Sequence, residues 1–311
     1  MRNAFASEIT SLAGENKNIV LLSADIGMRL FDEYKSRFPD RFFNCGVAEA
    51  NMIGMAAGMA LSGLHPVTYT ITPFITIRCL EQIKIDVCYH NLPVIIVGTG
   101  SGLSYAEIAS THQSCDDITL LRVLPNMTVI CPGDPLEVRL SLRSALEHKG
   151  PVYIRLGKKG EPVVHQQPPE FIIGKGIVIN TGSGVCLLST GNVLPIVKEA
   201  SEELKRRGLS AQVVSFHTVK PLDEELLNKV FSHFKLVVTI EEHSLLGGFG
   251  SSIAEWLTDN GASRKAPLLR IGIPDTFIYE AGKQAYFRGK YRLTADGIVE
   301  KVLDKLRLVI K

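Results

Sequence analysis

The chain has 311 residues, of which 45% are hydrophobic and 21% charged, and its formal net charge is +2. That length suits two domains, each large enough for its own core, and the near-neutral charge gives no reason to expect nucleic acid or an anionic membrane as partner. Cys45, Cys79, Cys88, Cys115, Cys131 and Cys186 form no CxxC and no metal-type spacing with histidine, so reduced thiols in a cytoplasmic protein are expected.

In chain order, the start from Met1 to Glu8 has no apolar signal core and reads as the opening of a helix. A strand is predicted over Asn18 to Ser23, and Asp25 ends it, either at a sheet edge or as a helix N-cap. A short apolar strand then runs through Phe43 into Gly46 and turns at Glu49 into a helix. From Met52 to Leu64 that helix is almost entirely Met, Ile, Gly, Ala and Leu, too short to span a bilayer. Further strands are expected over Pro66 to Ile71, Pro93 to Val97, Met127 to Cys131 and Val152 to Leu156, with helices over Glu81 to Tyr89 and Pro135 to Glu147. From 157 to 170 the composition is that of a linker, with Lys158-Lys159-Gly160-Glu161-Pro162 and Gln166-Gln167-Pro168-Pro169. A second alternating set follows: Gly184 to Ser189, a helix Val193 to Arg207, Ala211 to Phe216, Lys235 to Ile240, a helix Ser251 to Leu257, and Leu268 to Ile271. Strands alternating with helices predict an α/β protein of two doubly wound domains, 1–160 and 170–311.

Glu49 is the residue most in need of explanation. A carboxylate at the mouth of an apolar helix faces little water and can hold or share a proton, as an acid–base catalyst must. It can also simply stabilise the helix start through the dipole. Its surroundings go further. Phe38-Pro39-Asp40-Arg41-Phe42-Phe43 running into Gly46-Val47-Ala48-Glu49, with Gly54-Met55-Ala56-Ala57-Gly58, resembles the pyrimidine-binding domain of thiamine diphosphate enzymes. The likeness is to the transketolase and deoxyxylulose-5-phosphate synthase group. It continues in Thr111-His112-Gln113, Leu124-Pro125-Asn126-Met127, Val219-Lys220-Pro221-Leu222-Asp223-Glu224 and Glu241-Glu242-His243-Ser244-Leu245-Leu246-Gly247-Gly248-Phe249-Gly250. These blocks span nearly the whole chain in family order.

The resemblance implies roles for particular residues. Glu49 would set a carboxylic acid against the far nitrogen of the cofactor's aminopyrimidine, so that the cofactor's own amino group can act as base. Phe74 would stack on that ring, with Ile75 or Ile77 where the family often has a second aromatic. His112 and Gln113 would meet the donor sugar, and Asp25 would lie beside the substrate channel. Lys158 would stand where the family has a phosphate-binding Arg, offering charge without the bidentate fork. Two departures stand out: Ile108 replaces an Asp that reads a donor hydroxyl, and Gly100 replaces a cationic side chain that grips phosphate.

The family holds its diphosphate through Mg2+, on an Asp and an Asn of a GDG…N segment. Here Gly133-Asp134-Pro135 has no second Gly and reads as a structural turn. The metal ligands are therefore expected on a partner. The chain resembles the C-terminal subunit of a split transketolase, paired with an N-terminal subunit that carries the diphosphate-binding domain, as a dimer of heterodimers. The expected reaction moves a two-carbon ketol unit between sugars. A deoxyxylulose-5-phosphate synthase-like activity, the β subunit of a 2-oxo acid dehydrogenase E1 component, and a non-catalytic assembly subunit are the alternatives. Glu241, Glu242 and His243 are assigned no catalysis, and Gly247-Gly248-Phe249-Gly250 reads as a tight strand-to-helix connection.

Overall fold

Strand segments with no polar face must be covered on both sides, and here they assemble into two mostly parallel sheets. The computed structural model describes residues 1–158, 160–260 and 266–309. The strands are β1 (Ile19–Ser23), β2 (Phe42–Asn44), β3 (His65–Ile71), β4 (Ile95–Thr99), β5 (Thr128–Ile130), β6 (Val152–Leu156), β7 (Ile177–Asn180), β8 (Val185–Ser189), β9 (Ala211–Ser215), β10 (Thr218–Lys220), β11 (Leu236–Ser244) and β12 (Leu268–Ile273). The first sheet runs β10-β5-β6-β4-β3-β1-β2 and the second β12-β11-β8-β9-β7. Each carries one antiparallel edge strand, β10 on β5 and β7 on β9.

Alternation along β1 shows how both faces are filled. Ile19 and Leu21 pack with Phe5, Ile9, Val138 and Leu142, under the helices Arg2–Glu15 and Pro135–Glu147. Val20 and Leu22 pack with Met52, Ile53 and Ala56 of the helix Glu49–Leu61. That second cluster continues through Cys186, Leu188 and Val214 of the other sheet, so one apolar core joins the two halves. The predicted helix Pro135–Glu147 forms as expected, because Pro135 begins it and the Asp134 carboxylate accepts from the Glu137 amide at 2.8 Å. The other Asp134 oxygen accepts from the amides of Val164 and His165 and straps the linker down. Asp134 is thus a buried structural cap.

Several elements depart from the sequence-based expectation. The segment expected as one helix over Glu81 to Tyr89 is a short turn followed by a π-helix, Ile83–Tyr89. β7, the helix Glu224–His233 and the last helix, Ala295–Val309, carry no signal singled out above. β10 is not among the predicted elements either, and it leaves the second half of the chain to join the first sheet.

Candidate active site

Parallel strands end at the same edge, and β2, β1, β3, β4 and β6 lie side by side in that order. The segments that follow them carry, in the same order, Glu49, Asp25, Phe74, the Gly100–Gln113 segment and Lys158. Between β1 and β3 the chain reverses its direction of winding. In open α/β sheets, ligands bind beyond the carboxyl ends of strands at such a reversal.

Glu49 opens its helix and is only 4% exposed. The block before it has a structural job: the Arg41 guanidinium donates to the carbonyls of Asn16 and Ala13, at 3.0 and 2.9 Å, and fixes β2 to the first helix. Gly46, at φ +70°, then turns the chain towards the helix start. The Asn44 side chain accepts from the amides of Asp25 and Gly46 and donates to the Asp25 carboxylate, each at 3.1 Å. Asp25 itself has φ +52° and caps no helix; it braces the turn leading to Glu49.

Arg78, not among the candidates above, joins the site together. Its guanidinium lies 3.4 Å from the Glu49 carboxylate and 3.9 Å from the centre of the Phe74 ring. Phe74 and Arg78 are four residues apart, one helical turn, and that spacing was the available signal. A planar, delocalised cation therefore already stacks on Phe74 while it bonds Glu49. An aminopyrimidine, also planar and able to hydrogen-bond a carboxylate, fits the same two groups. Beyond Phe74, the His112 ring approaches edge-on, 5.0 Å between centroids, and its Nδ1 lies 2.9 Å from the Thr111 hydroxyl. Partial burial, aided by the Arg78 charge, lowers the His112 pKa and favours the neutral imidazole. Burial, followed by the Glu49 charge, pushes the neighbouring Cys79 thiol up to about 12, so Cys79 is no nucleophile.

Glu49, Phe74 and His112 thus stand together. Lys158 reaches the group through Tyr105: its ammonium sits 4.7 Å above the Tyr105 ring, which flanks His112, and 3.8 Å from Glu107. Ile77 and Ile108 are each 50% exposed. Gln113 points elsewhere, into a cleft of about 190 Å³ shared with Asp116 and the Ile273–Ile278 segment. Tyr105 accounts for Gly100: a Cβ there would run into the Tyr105 ring, and Gly100 has φ +80°. The ring fills the space where another side chain would stand. Gly100→Ala is therefore expected to cost about 2–4 kcal/mol through overpacking and left-handed strain, read as a lowered Tm in thermal unfolding.

The second half contributes from behind. Both oxygens of the Glu241 carboxylate cap the helix Phe249–Asn260, accepting from the amides of Phe249 and Gly250 at 2.7 and 2.8 Å. A Cβ on Gly248 would collide with that carboxylate, so the glycine-rich run is a tight strand-to-helix connection, as expected. Burial pushes Glu241 up to about 7 and holds His243 down at about 4, so the imidazole is neutral at neutral pH. Among the described residues, no group of three or more His, Cys, Asp or Glu is placed to hold a metal ion. None of their helices is long and apolar enough to cross a membrane.

Comparison with known proteins agrees with this arrangement. Residues 1–161 match the transketolase pyrimidine-binding domain and residues 174–298 the transketolase C-terminal domain. The chain is 38% identical over 267 residues to one subunit of the apulose-4-phosphate transketolase of Actinobacillus succinogenes, covering 86% of this chain and 85% of that one. It is 36% identical over 300 residues to the 6-deoxy-6-sulfo-D-fructose transketolase subunit SqwH of a Clostridium species, covering 96% and 92%. Among solved structures it superimposes with a TM-score of 0.90, at 36% identity and over 99% of this chain and 98% of the other, on a split-gene transketolase in the form of an inactive β4 tetramer. With its two sheets, its site at the shared strand edge and these relatives, the chain belongs to the transketolase family and carries that family's pyrimidine-binding and C-terminal domains.

Proposed function

We propose that this chain supplies the aminopyrimidine half of a thiamine diphosphate site and is active only with a partner that holds Mg2+ and the diphosphate. The observation that carries this reading is the buried Glu49 carboxylate beside Phe74, at the strand edge where a ligand has access. The cofactor, when bound, supplies the carbanion chemistry of ketol transfer. With the cofactor bound, Glu49 would hold a proton at the pyrimidine, Phe74 would offer the ring its aromatic face, with Ile77 at the rim, and Arg78 would give up its place between them. His112, neutral and facing the same space, accepts or returns a proton at a donor hydroxyl. Lys158 steers an anionic group to the mouth of the site, and Asp25 keeps the Glu49 turn in place. The inactive β4 tetramer of the similar split-gene protein supports the need for a partner, which would here complete a two-plus-two assembly. The six free thiols, four of them buried, fit a cytoplasmic setting.

The donor follows from what the pocket lacks. Ile108 offers no partner to a sugar hydroxyl, and Tyr105 closes the position where a phosphate-gripping side chain would stand over Gly100. A buried hydroxyl without a partner costs about 1–3 kcal/mol. The reaction we assign is therefore ketol transfer from a branched, deoxygenated or otherwise modified ketose. The names of two relatives, an apulose-4-phosphate transketolase and a 6-deoxy-6-sulfo-D-fructose transketolase, are in keeping with that class. With the reconstituted pair, kcat/KM for a modified ketose should exceed that for xylulose 5-phosphate by about tenfold or more. Equal values would remove the specialised donor and leave the ketol-transfer assignment standing.

A further inference from the structure

The segment that carries His112 is a loop with two feet, and both are tied to one residue of the other half of the chain. The feet are Gly102 and Ser114, which exchange backbone hydrogen bonds at 2.8 and 2.9 Å. Beside the first foot, the Leu103 amide donates to the Glu242 carboxylate at 2.8 Å. Gly102 lies so close that a Cβ on it would meet the same carboxylate oxygen at 2.6 Å. At the second foot, the buried Arg155 guanidinium bridges the carbonyls of Ser114 and Glu242, each at 3.1 Å, while pairing with Asp117 at 2.7 Å. Glu242 is itself held: Gln284 donates to one oxygen at 2.8 Å and Arg288 pairs with the other. Between the feet the backbone is strained, with Ala109 at φ +61°. A strained loop keeps one conformation only when its surroundings impose it.

We infer that Glu242 is a positioning residue. Its carboxylate anchors the first foot of the 103–113 loop to the C-terminal half, its main-chain carbonyl meets the second through Arg155, and the carboxylate so sets where His112 meets the donor sugar. The C-terminal half then acts on substrate recognition through Glu242, alongside the Ser110 hydroxyl on the Ile278 carbonyl and the Gly282 amide on the Ala106 carbonyl, beyond any part in assembly. The placement of His112 at the donor rests on the function proposed above; the anchoring rests on the geometry alone.

The test has two arms. In the full chain, amide hydrogen exchange over 103–113 should quicken by about tenfold or more in Glu242→Ala. It should stay close to wild type in Glu242→Gln, which keeps an acceptor for Leu103, and β11 should be unchanged in both. With the reconstituted pair, the KM for the donor should rise by about fivefold or more in Glu242→Ala while kcat stays within about twofold, and Glu242→Gln should largely restore KM. A residue that only supported the fold would lower the amount of active enzyme and leave KM alone. Should Glu242→Ala not fold, Arg288→Gln, which frees the same carboxylate from a partly exposed position, is read in the same way. Unchanged exchange in the loop overturns the anchoring, and an unchanged KM with quickened exchange overturns the positioning of His112. If the wild-type pair shows no ketol transfer, the function proposed above fails, and the exchange arm still decides whether Glu242 holds the loop.

Discussion

Glu49→Gln should abolish ketol transfer by the chain and its partner while leaving the fold intact. The substitution keeps the size of the side chain and its ability to hydrogen-bond Arg78, so the helix start and the Phe74 stack have no reason to move. What it removes is the exchangeable proton. An amide cannot hand a proton to a pyrimidine nitrogen or take one back, and acid–base terms of this kind contribute about 10²–10⁴ in rate. The expected result is a fall in kcat of that order, with an unchanged Tm and an unchanged affinity for the partner. The free carboxylate is nearly sealed from water, and the group that now reaches it is the Arg78 cation. Near-normal turnover in Glu49→Gln would take Glu49 out of the catalytic role and leave it as a dipole-stabilised helix start.

Much of the architecture is open to reading because it is local. β6 and the helix Pro135–Glu147 fall on their expected residues, the first by a β-forming run between Pro151 and Gly157 whose one charged residue is Arg155, the second by its aspartate cap and proline. The strand-to-helix turn at Glu49 is legible for the same reason. What escapes depends on partners far along the chain. β10 is three residues long and exists because β5 offers it an edge, some ninety positions earlier. Its sequence alone carries no period.

The site divides in the same way. Glu49, Phe74 and His112 are found by resemblance, and the shared strand edge explains why such distant positions meet. Arg78 is within reach of simple helical spacing, but its charge suggests solvent more than an aromatic face. Gln113 is grouped with His112 because they are adjacent, yet adjacent residues in a bent loop face apart, and Gln113 lines a different cleft. Gly100 looks like a lost side chain; its reason lies five residues on, in the Tyr105 ring that covers it. The part Glu242 plays cannot be read from sequence at all. Its meaning comes from Leu103, Gln284 and Arg288, brought together only by the packing of the two halves.

That this chain holds half a cofactor site rests on a mismatch between what it offers and what the cofactor needs. Glu49 and Phe74 offer a carboxylate and an aromatic face, worth on the order of 0.5–3 kcal/mol each in stacking and hydrogen bonding. Immobilising a charged, flexible cofactor costs about 4–15 kcal/mol. The diphosphate carries most of the charge and needs Mg2+, and Asp134, in the Gly133-Asp134 turn, is engaged in capping a helix and strapping the linker. Calorimetric titration of thiamine diphosphate with Mg2+ into the purified chain, alone and then mixed with an N-terminal transketolase subunit, measures this directly. The chain alone should show weak or no binding, and the mixture should bind stoichiometrically and gain ketol-transfer activity. Tight, Mg2+-dependent binding by the chain alone would contradict the account.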